Sequence, residues 1–111
     1  MFLRNDVTSS AEVQQMATVA EREYGRIDIL INNAGVNTPG PKRRPIHEFE
    51  EEEWHRVINC DLHGTFYCCR ATAPRMVARK SGVIVNVASV MGIVPIASRS
   101  RLLRRKPRSF L

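Results

Sequence analysis

The chain has 111 residues, which suits one small domain or part of a larger one. Its apolar content of 43% is ordinary for a soluble protein, and no apolar run is long enough to span a bilayer, so we expect a cytoplasmic protein without a membrane partner. The net charge of +6 comes from the last thirteen residues, because residues 1–98 carry equal numbers of basic and acidic side chains.

The cysteines and histidines carry no disulfide or metal-binding signature. Three cysteines stand at positions 60, 68 and 69, and their spacing fits neither a disulfide framework nor a zinc site. Buried, reduced thiols are therefore expected. His55 and His63 lie eight residues apart on one predicted helix, about two turns, which is too far to share an ion. No metal site is predicted.

The first predicted elements are the end of a strand and an amphipathic helix. Residues 1–4 are partly apolar and indicate a strand that ends before Asp6. Ser9 and Glu12 have the spacing of a capping box, so a helix is predicted to begin there. Apolar residues then recur at three- and four-residue steps, and Gly25 predicts the C-terminal cap.

A second strand is predicted at residues 27–31, which are mostly β-branched and apolar, and it leads into Asn32-Asn33-Ala34-Gly35. A loop rich in proline and glycine follows. This loop contains the basic trio Lys42-Arg43-Arg44, for which we prefer a solvated loop to a phosphate clamp.

A long helix is predicted after four consecutive glutamates, residues 50–53, which complement the positive end of the helix dipole; we prefer this role to a metal site. The helix is expected to end near Met76 or Val77, and Pro74 is a candidate for a kink. Gly64 hints at close packing or a bend. One side of the helix is apolar: Trp54, Val57, Ile58, Leu62, Phe66, Cys69 and Ala73.

A third strand is predicted at residues 83–88, an almost unbroken apolar run that is typical of a strand buried on both faces, and it ends at Ser89. The order is strand, helix, strand, helix, strand. Such alternation predicts an α/β fold with right-handed crossovers, in this case a partial doubly wound parallel sheet of about three strands.

Small and polar residues follow the three predicted strands, at the edge where open parallel sheets bind ligands. Ala34 and Gly35 let a flat ligand approach the backbone closely. Asp6 can accept a hydrogen bond, and the Ser89 hydroxyl can polarise a carbonyl. Each residue taken singly is explained as a turn or cap residue, but together they favour a binding site.

These residues resemble the short-chain dehydrogenase/reductase family. The run Asp28 to Gly35 is similar to its Asn-Asn-Ala-Gly signature, and residues 83–92 resemble the strand that delivers its catalytic serine. Residues 54–66 resemble its long interface helix, and Asp6-Val7 its adenine-contacting pair. The resemblance covers residues 1 to about 98, which it identifies as a partial NAD(P)-binding Rossmann-like domain, and it does not extend to the basic tail, residues 99–111.

The resemblance implies an oxidoreductase that uses NAD or NADP and transfers hydride to or from a small-molecule alcohol or ketone. It implies that Ser89 holds the substrate oxygen. It also implies pairing of copies through the helix at residues 50–77. The residues implied to line the adenosine side of the cofactor are Asp6, Val7, Asn33, Ala34 and Gly35.

Three departures from the family pattern lead us to expect a chain without turnover of its own. Asp61 stands where the family has the asparagine of its proton relay, and an acid there can hold water but cannot donate as an amide does. No glycine-rich phosphate loop precedes Met1. The tyrosine of the Tyr-x-x-x-Lys pair would fall at Leu102, and no tyrosine follows Tyr67, so the general acid is missing.

The basic tail leaves two explanations open: a frameshift near Ser98, or a segment that binds nucleic acid through phosphate contacts, which we favour less. A non-enzymatic module, acting through this tail or through pairing of the Trp54 helix with intact homologues, is the alternative to an enzyme remnant. A sheet without its neighbours is also expected to expose strand edges and apolar helix faces and to aggregate.

Overall fold

The structure, a computed structural model, describes residues 1–90. Two strands, β1 (Ile29–Asn32) and β2 (Val83–Asn86), are joined by a long helical connection. This connection consists of α2 (Glu51–Ile58), a π-helical segment (Asn59–Gly64) and α3 (Thr65–Arg79). Helix α1 (Ser10–Tyr24) precedes β1, and the loop from β1 to α2 contains two 3₁₀ turns, Gly40–Lys42 and Ile46–Glu48. Within residues 1–90, no helix combines the length and apolarity needed to cross a membrane.

The predictions about the basic tail, about the positions of Leu102 and Lys106 and about nucleic-acid binding concern residues that lie outside the described part of the chain.

The two strands pair in parallel, in register from Ile29 opposite Val83 to Asn32 opposite Asn86. Parallel strands joined by a helix confirm the predicted α/β class and a partial Rossmann-like fold. Within residues 1–90 the sheet has two strands, where the sequence predicts about three. Residues 1–4 belong to neither strand. An apolar segment becomes a strand only where a neighbour accepts its hydrogen bonds, and β1 and β2 are paired with each other.

Helix α1 begins and ends where the sequence predicts. Ser9 is the N-cap, and its hydroxyl accepts a hydrogen bond from the Glu12 backbone N–H. Gly25 adopts the left-handed conformation at the C-cap, with φ of 78°, and its N–H donates to the Glu21 carbonyl. The Glu12 carboxylate accepts from the Asp6 N–H at 2.9 Å, so it fastens the preceding segment to the helix.

The core lies between α1 and α3. Val13 and Ala17 of α1 pack against Cys68 and Ala71 of α3, and all four are buried. Leu30 of β1 and several half-buried neighbours close this cluster. All three cysteines are free thiols, of which Cys68 is buried and the other two are half-buried.

Polar contacts join the rims of the same two helices. Arg75 pairs with Glu21 at 2.7 Å, and Arg70 donates to the Ser10 hydroxyl at 2.8 Å. Together with the small apolar core, these contacts fix α1 against α3 on one side of the sheet.

The other face of the sheet is open. Ile29 and Ile31 are 61% and 62% exposed, and β2 is exposed along its whole length. The strand predicted at residues 83–88, which is β2, was expected to be buried on both faces, and this prediction was wrong. The helices cover the face of β1 that carries Leu30 and Asn32, and within residues 1–90 nothing covers the face formed by Ile29, Ile31, Val83 and Val85.

The side of the long helical connection that carries the large apolar residues is not the side that is buried. Trp54, Leu62 and Phe66 are half or more exposed. The residues buried along α3 are mostly small or flexible: Cys68, Ala71, Thr72 and Met76. The helix ends at Arg79, slightly beyond the predicted end, and Lys80 takes the left-handed cap conformation. Exposure of the large apolar side agrees with the expectation that apolar helix faces remain uncovered.

Candidate functional site at the strand ends

The segments that follow the two strands leave the sheet side by side. The backbone N–H of Val87 donates to the carbonyl of Asn32 at 2.9 Å, which extends the ladder one step beyond the paired strands. Asn33, Ala34 and Gly35 come next after β1, and Ser89 lies three residues beyond the end of β2. Ser89 and the three residues after β1 are exposed. The carboxyl edge of the sheet therefore presents small, polar and accessible residues, as the sequence indicates.

Asn32 and Asn86 form a polar bridge at this edge that sequence analysis missed. The buried Asn32 amide donates to Asn86 Oδ1 at 2.8 Å and to the Cys69 thiol at 3.4 Å. The bridge holds the ends of both strands together and ties β1 to α3. Its signal in the sequence is one asparagine directly after the apolar run at residues 29–31 and one within the apolar run at residues 83–88. That signal becomes informative only when the register places the two residues opposite each other.

Asp6 is held in a tight turn before α1. Its Oδ1 accepts from the backbone N–H and from the hydroxyl of Thr8, both at 2.9 Å. These hydrogen bonds lower the pKa of the Asp6 carboxyl, the backbone N–H contributing most, so the group is an anion at neutral pH. Asp6 thus has the structural role in a turn that its position suggests. Because both bonds go to Oδ1, Oδ2 remains able to accept from a ligand.

Val7 supports the edge by contacting the long helix at Gly64. A Cβ atom placed on Gly64 would lie 2.8 Å from Val7 Cγ2 and 3.1 Å from Val7 Cβ. Real Cβ atoms essentially never approach as closely as 2.8 Å, so a larger residue at position 64 would have to displace Val7. The predicted close packing at Gly64 is confirmed. Val7 itself is half-buried against the core.

Asp61 reaches the loop after β1 from the π-helical segment. Its Oδ1 accepts from the backbone N–H of Val36 at 2.8 Å, and it lies beside Gly35, where an added Cβ would be 3.5 Å away. An asparagine could accept in the same way through its amide oxygen, so an acid at this position keeps this contact. The pKa of the Cys60 thiol is raised, chiefly by burial and then by the nearby carboxyls of Asp61 and Asp6.

The π-helical segment was not predicted. Such segments are rare single-turn insertions in α-helices and are frequent at functional sites. Here it spans Asn59–Gly64 and contains both Asp61 and Gly64, the two residues that meet the neighbouring segments. No local sequence feature other than Gly64 marks it.

The loop after β1 is fastened to α2 by a buried carboxylate. Glu53 is 1% exposed, and Arg56 binds it through two hydrogen bonds of 2.6 and 3.1 Å. Lys42 of the loop lies 3.5 Å from the same carboxylate. Arg56 also donates to the Asn37 carbonyl at 2.9 Å. The hydrogen bonds from Arg56, aided by both positive charges, lower the pKa of Glu53 despite its burial.

The structure therefore brings together most of the predicted site residues. Val7, which follows Asp6 in the chain, meets the long helix at Gly64. Asp61 meets the Asn33–Gly35 run through Val36, and Ser89 follows β2 at the same edge of the sheet. The His, Cys, Asp and Glu residues between positions 1 and 90 form no group of three or more suited to a metal ion.

The sequence profile of the short chain dehydrogenase family matches residues 1–101. The chain belongs to the short-chain dehydrogenase/reductase family. Cis-4-hydroxycyclohexanecarboxylate dehydrogenase of Sinomonas cyclohexanicum is 38% identical over 100 residues, which are 90% of this chain and 39% of that protein. The 3-oxoacyl-[acyl-carrier-protein] reductase FabG of Thermotoga maritima is 38% identical over 88 residues, which are 79% of this chain and 34% of that protein.

Solved structures of short-chain dehydrogenases/reductases share the fold. The serine dehydrogenase of Escherichia coli is 34% identical, with a TM-score of 0.74 over 84% of this chain and 42% of that one. ElxO with NADP bound is 27% identical, with a TM-score of 0.79 over 86% of this chain and 37% of that one. The chain thus spans roughly two fifths of the length of these relatives.

Proposed function

We propose that residues 1–98 are part of an NAD(P)-dependent oxidoreductase that acts on an alcohol or ketone, and that they supply the adenosine side of its cofactor site. The observation that carries this proposal is the junction of three segments at the carboxyl edge of the sheet. Gly64 packs on Val7, and Asp61 holds Val36 directly after the Asn33-Ala34-Gly35 run. This edge is where open α/β sheets bind nucleotides.

The chemical groups at this edge fit a nicotinamide dinucleotide. Ala34 and Gly35 leave exposed backbone without bulky side chains, so a flat ring can approach. Asp6 is anionic and would accept from an amino or hydroxyl group. Val7 and Asn33 would line the same side of the cofactor. The cofactor, when bound, gives or takes the hydride. Ser89 would donate its hydroxyl to the substrate oxygen, and Asp61 would hold a water near the edge.

The relatives support this assignment by what their names state. ElxO was solved with NADP bound, and the Sinomonas cyclohexanicum relative is a dehydrogenase of a hydroxylated carboxylate. We propose that the chain by itself does not turn substrate over. Its sequence has leucine at position 102, where the family tyrosine would stand, and a general acid is needed to protonate the alkoxide.

Titration of the chain with NADP⁺, followed residue by residue by NMR, tests the cofactor edge. We expect saturable shifts at residues 6–7 and 33–36. Gly35→Val should weaken binding about tenfold or more, because a branched side chain would occupy the space needed by the ring. Gly40→Val is the matched control, since a Cβ on Gly40 meets nothing within 4 Å. Equal affinities for the two variants would contradict the proposal.

The absence of turnover is tested by the absorbance of reduced nicotinamide during incubation of the chain with NADPH and a panel of ketones. We expect no oxidation above the rate without protein. Saturable oxidation that is abolished by Ser89→Ala would overturn this part of the proposal, since it would require a general acid other than the family tyrosine.

A second candidate function, pairing through the long helix, is favoured by its exposed apolar side. Trp54, Leu62 and Phe66 are 50%, 60% and 55% exposed on the helical connection. We propose that residues 50–77 pair with a second copy or with an intact homologue, since exposed large apolar side chains at such spacing mark association surfaces. Phe66→Glu should convert a dimer to a monomer in sedimentation velocity. Gln15→Glu on the exposed side of α1 should leave the dimer intact.

A further inference from the structure

The loop after β1 has a fixed position beside the carboxyl edge of the sheet. Val36 is held by Asp61 at 2.8 Å, and Asn37 is held by Arg56 at 2.9 Å. Further along, the 3₁₀ turn Gly40–Lys42 is joined to α2 through Lys42 and Glu53. Three anchors within seven residues define where the side chains of this loop stand relative to Gly35.

Two of the three basic residues of this loop are left without a counter-charge. The Glu53 carboxylate is occupied by Lys42 and Arg56. Within residues 1–90, no carboxylate lies within ion-pair distance of Arg43 or Arg44, and both are exposed. Glu53 therefore balances the charge of Lys42 and Arg56, and the positive charges of Arg43 and Arg44 remain unbalanced.

The two arginines are also oriented. Arg43 Nε donates to the Thr38 carbonyl at 2.9 Å, and Arg44 Nη1 donates to the Pro41 carbonyl at 2.8 Å. Both guanidinium groups are thus folded back on one turn of the loop. Arg43 donates one hydrogen bond to the backbone, and Arg44 Nη1 contacts two backbone carbonyls. A guanidinium group carries five N–H donors, so most remain for a ligand. Planar, partly immobilised guanidinium groups match the geometry of carboxylate and phosphate.

We propose that Arg43 and Arg44 form an anion-binding subsite at the border of the carboxyl edge of the sheet, which takes the phosphate or carboxylate group of the substrate. This inference rests on the proposed function for the identity of the ligand as substrate. Arg43 is anchored on Thr38, three residues beyond Gly35, so the subsite lies on the loop that leaves the carboxyl edge of the sheet after β1. The substrate class is then an alcohol or ketone that carries an anionic group away from its reacting oxygen.

Titration of the full chain with inorganic phosphate, followed by residue-resolved NMR, tests the subsite. The residue-level readout is needed because the basic tail, residues 99–111, also attracts anions. We expect saturable shifts at residues 38–44 and about a tenfold loss of phosphate affinity at these residues in Arg43→Gln/Arg44→Gln. The control Arg22→Gln/Arg26→Gln removes the same charge from exposed positions elsewhere and should leave this affinity unchanged.

The outcomes separate the subsite from the cofactor proposal. Shifts at residues 38–44 that do not saturate, or that respond equally to both double variants, overturn the subsite. Loss of NADP⁺ affinity in Arg43→Gln/Arg44→Gln also overturns it, because the anion held there would belong to the cofactor. Phosphate binding at the loop in a chain that does not bind NADP⁺ supports an anion subsite and rejects the proposed function instead.

Discussion

Single residues decide whether the three segments of the candidate site meet, and Gly64 shows this most directly. It lies at the end of the π-helical segment, where Val7 crosses the helix. Its missing side chain lets a backbone and a branched side chain approach to distances that a Cβ would prevent. The proposed cofactor edge therefore depends on a residue that contributes no chemistry of its own.

Replacement of Gly64 by alanine should destabilise the chain. The new Cβ would lie 2.8 Å from Val7 Cγ2 and 3.4 Å from the Val7 carbonyl oxygen, so backbone as well as side chain must shift. We expect a loss of about 1–3 kcal/mol in the free energy of unfolding, measured with urea and circular dichroism. Gly40→Ala has open space around its Cβ and should have little effect. A neutral Gly64→Ala would mean that the helix and Val7 are not in contact.

The buried Glu53 should make stability depend on pH. The hydrogen bonds from Arg56 lower its pKa in the folded chain below the ordinary value of about 4.5. Its stabilising contribution is therefore complete above about pH 4.5 and is lost as the pH falls through the lower, folded-state pKa. Glu53→Gln should be less stable than the parent at neutral pH, and the difference should shrink below about pH 4.5. The exposed Glu52→Gln is the control, and parallel curves for parent and Glu53→Gln would contradict the pairing.

At the scale of the elements, α1 is specified locally and the long helical connection is not. The caps of α1 are made by residues adjacent in sequence, Ser9 with Glu12 and Gly25 with Glu21. The connection from Glu51 to Arg79 instead changes its hydrogen-bond pattern at Asn59–Gly64. Val7 and the loop after β1 contact it there. Helix propensity and apolar periodicity therefore predict α1 well, but they predict only the approximate extent of the long helical connection.

Removal of the N-cap hydroxyl should weaken α1. Ser9→Ala deletes the acceptor for the Glu12 N–H, which leaves one backbone donor of the first turn unpaired. We expect a loss of about 1 kcal/mol in the free energy of unfolding. Ser81→Ala in the exposed turn before β2 serves as the control. Identical stability of both variants would show that α1 does not depend on this cap.

At the scale of the whole molecule, the sheet is open on one face, and only β1 is covered on the other. Leu30 packs into the core, whereas its neighbours Ile29 and Ile31 point to the opposite side and are exposed. The apolar patch formed with Val83 and Val85 is the kind of surface that promotes association. Self-association of the described unit should therefore arise from the sheet as well as from the long helix.

A polar substitution on the open face should reduce aggregation. Ile31→Thr keeps a β-branched residue in β1 but removes apolar surface, so we expect less light scattering at a given concentration and little change in stability. Leu30→Thr alters the covered face and should destabilise the chain without relieving aggregation. Equal light scattering by Ile31→Thr and the parent would show that aggregation does not depend on the open face of the sheet.

The α/β class, the caps of α1, the position of β1 and the small and polar residues that follow β1 were all predictable from the amino-acid sequence. These features follow from local chemistry: cap hydroxyls, glycine conformations and apolar runs. The number of strands, the open face of the sheet, the Asn32–Asn86 bridge and the π-helical segment became evident only from the folded chain. Each of these depends on which segments are present to pair or pack. An apolar run shows that a segment is suited to burial, but the segments that pack against it decide whether it is buried.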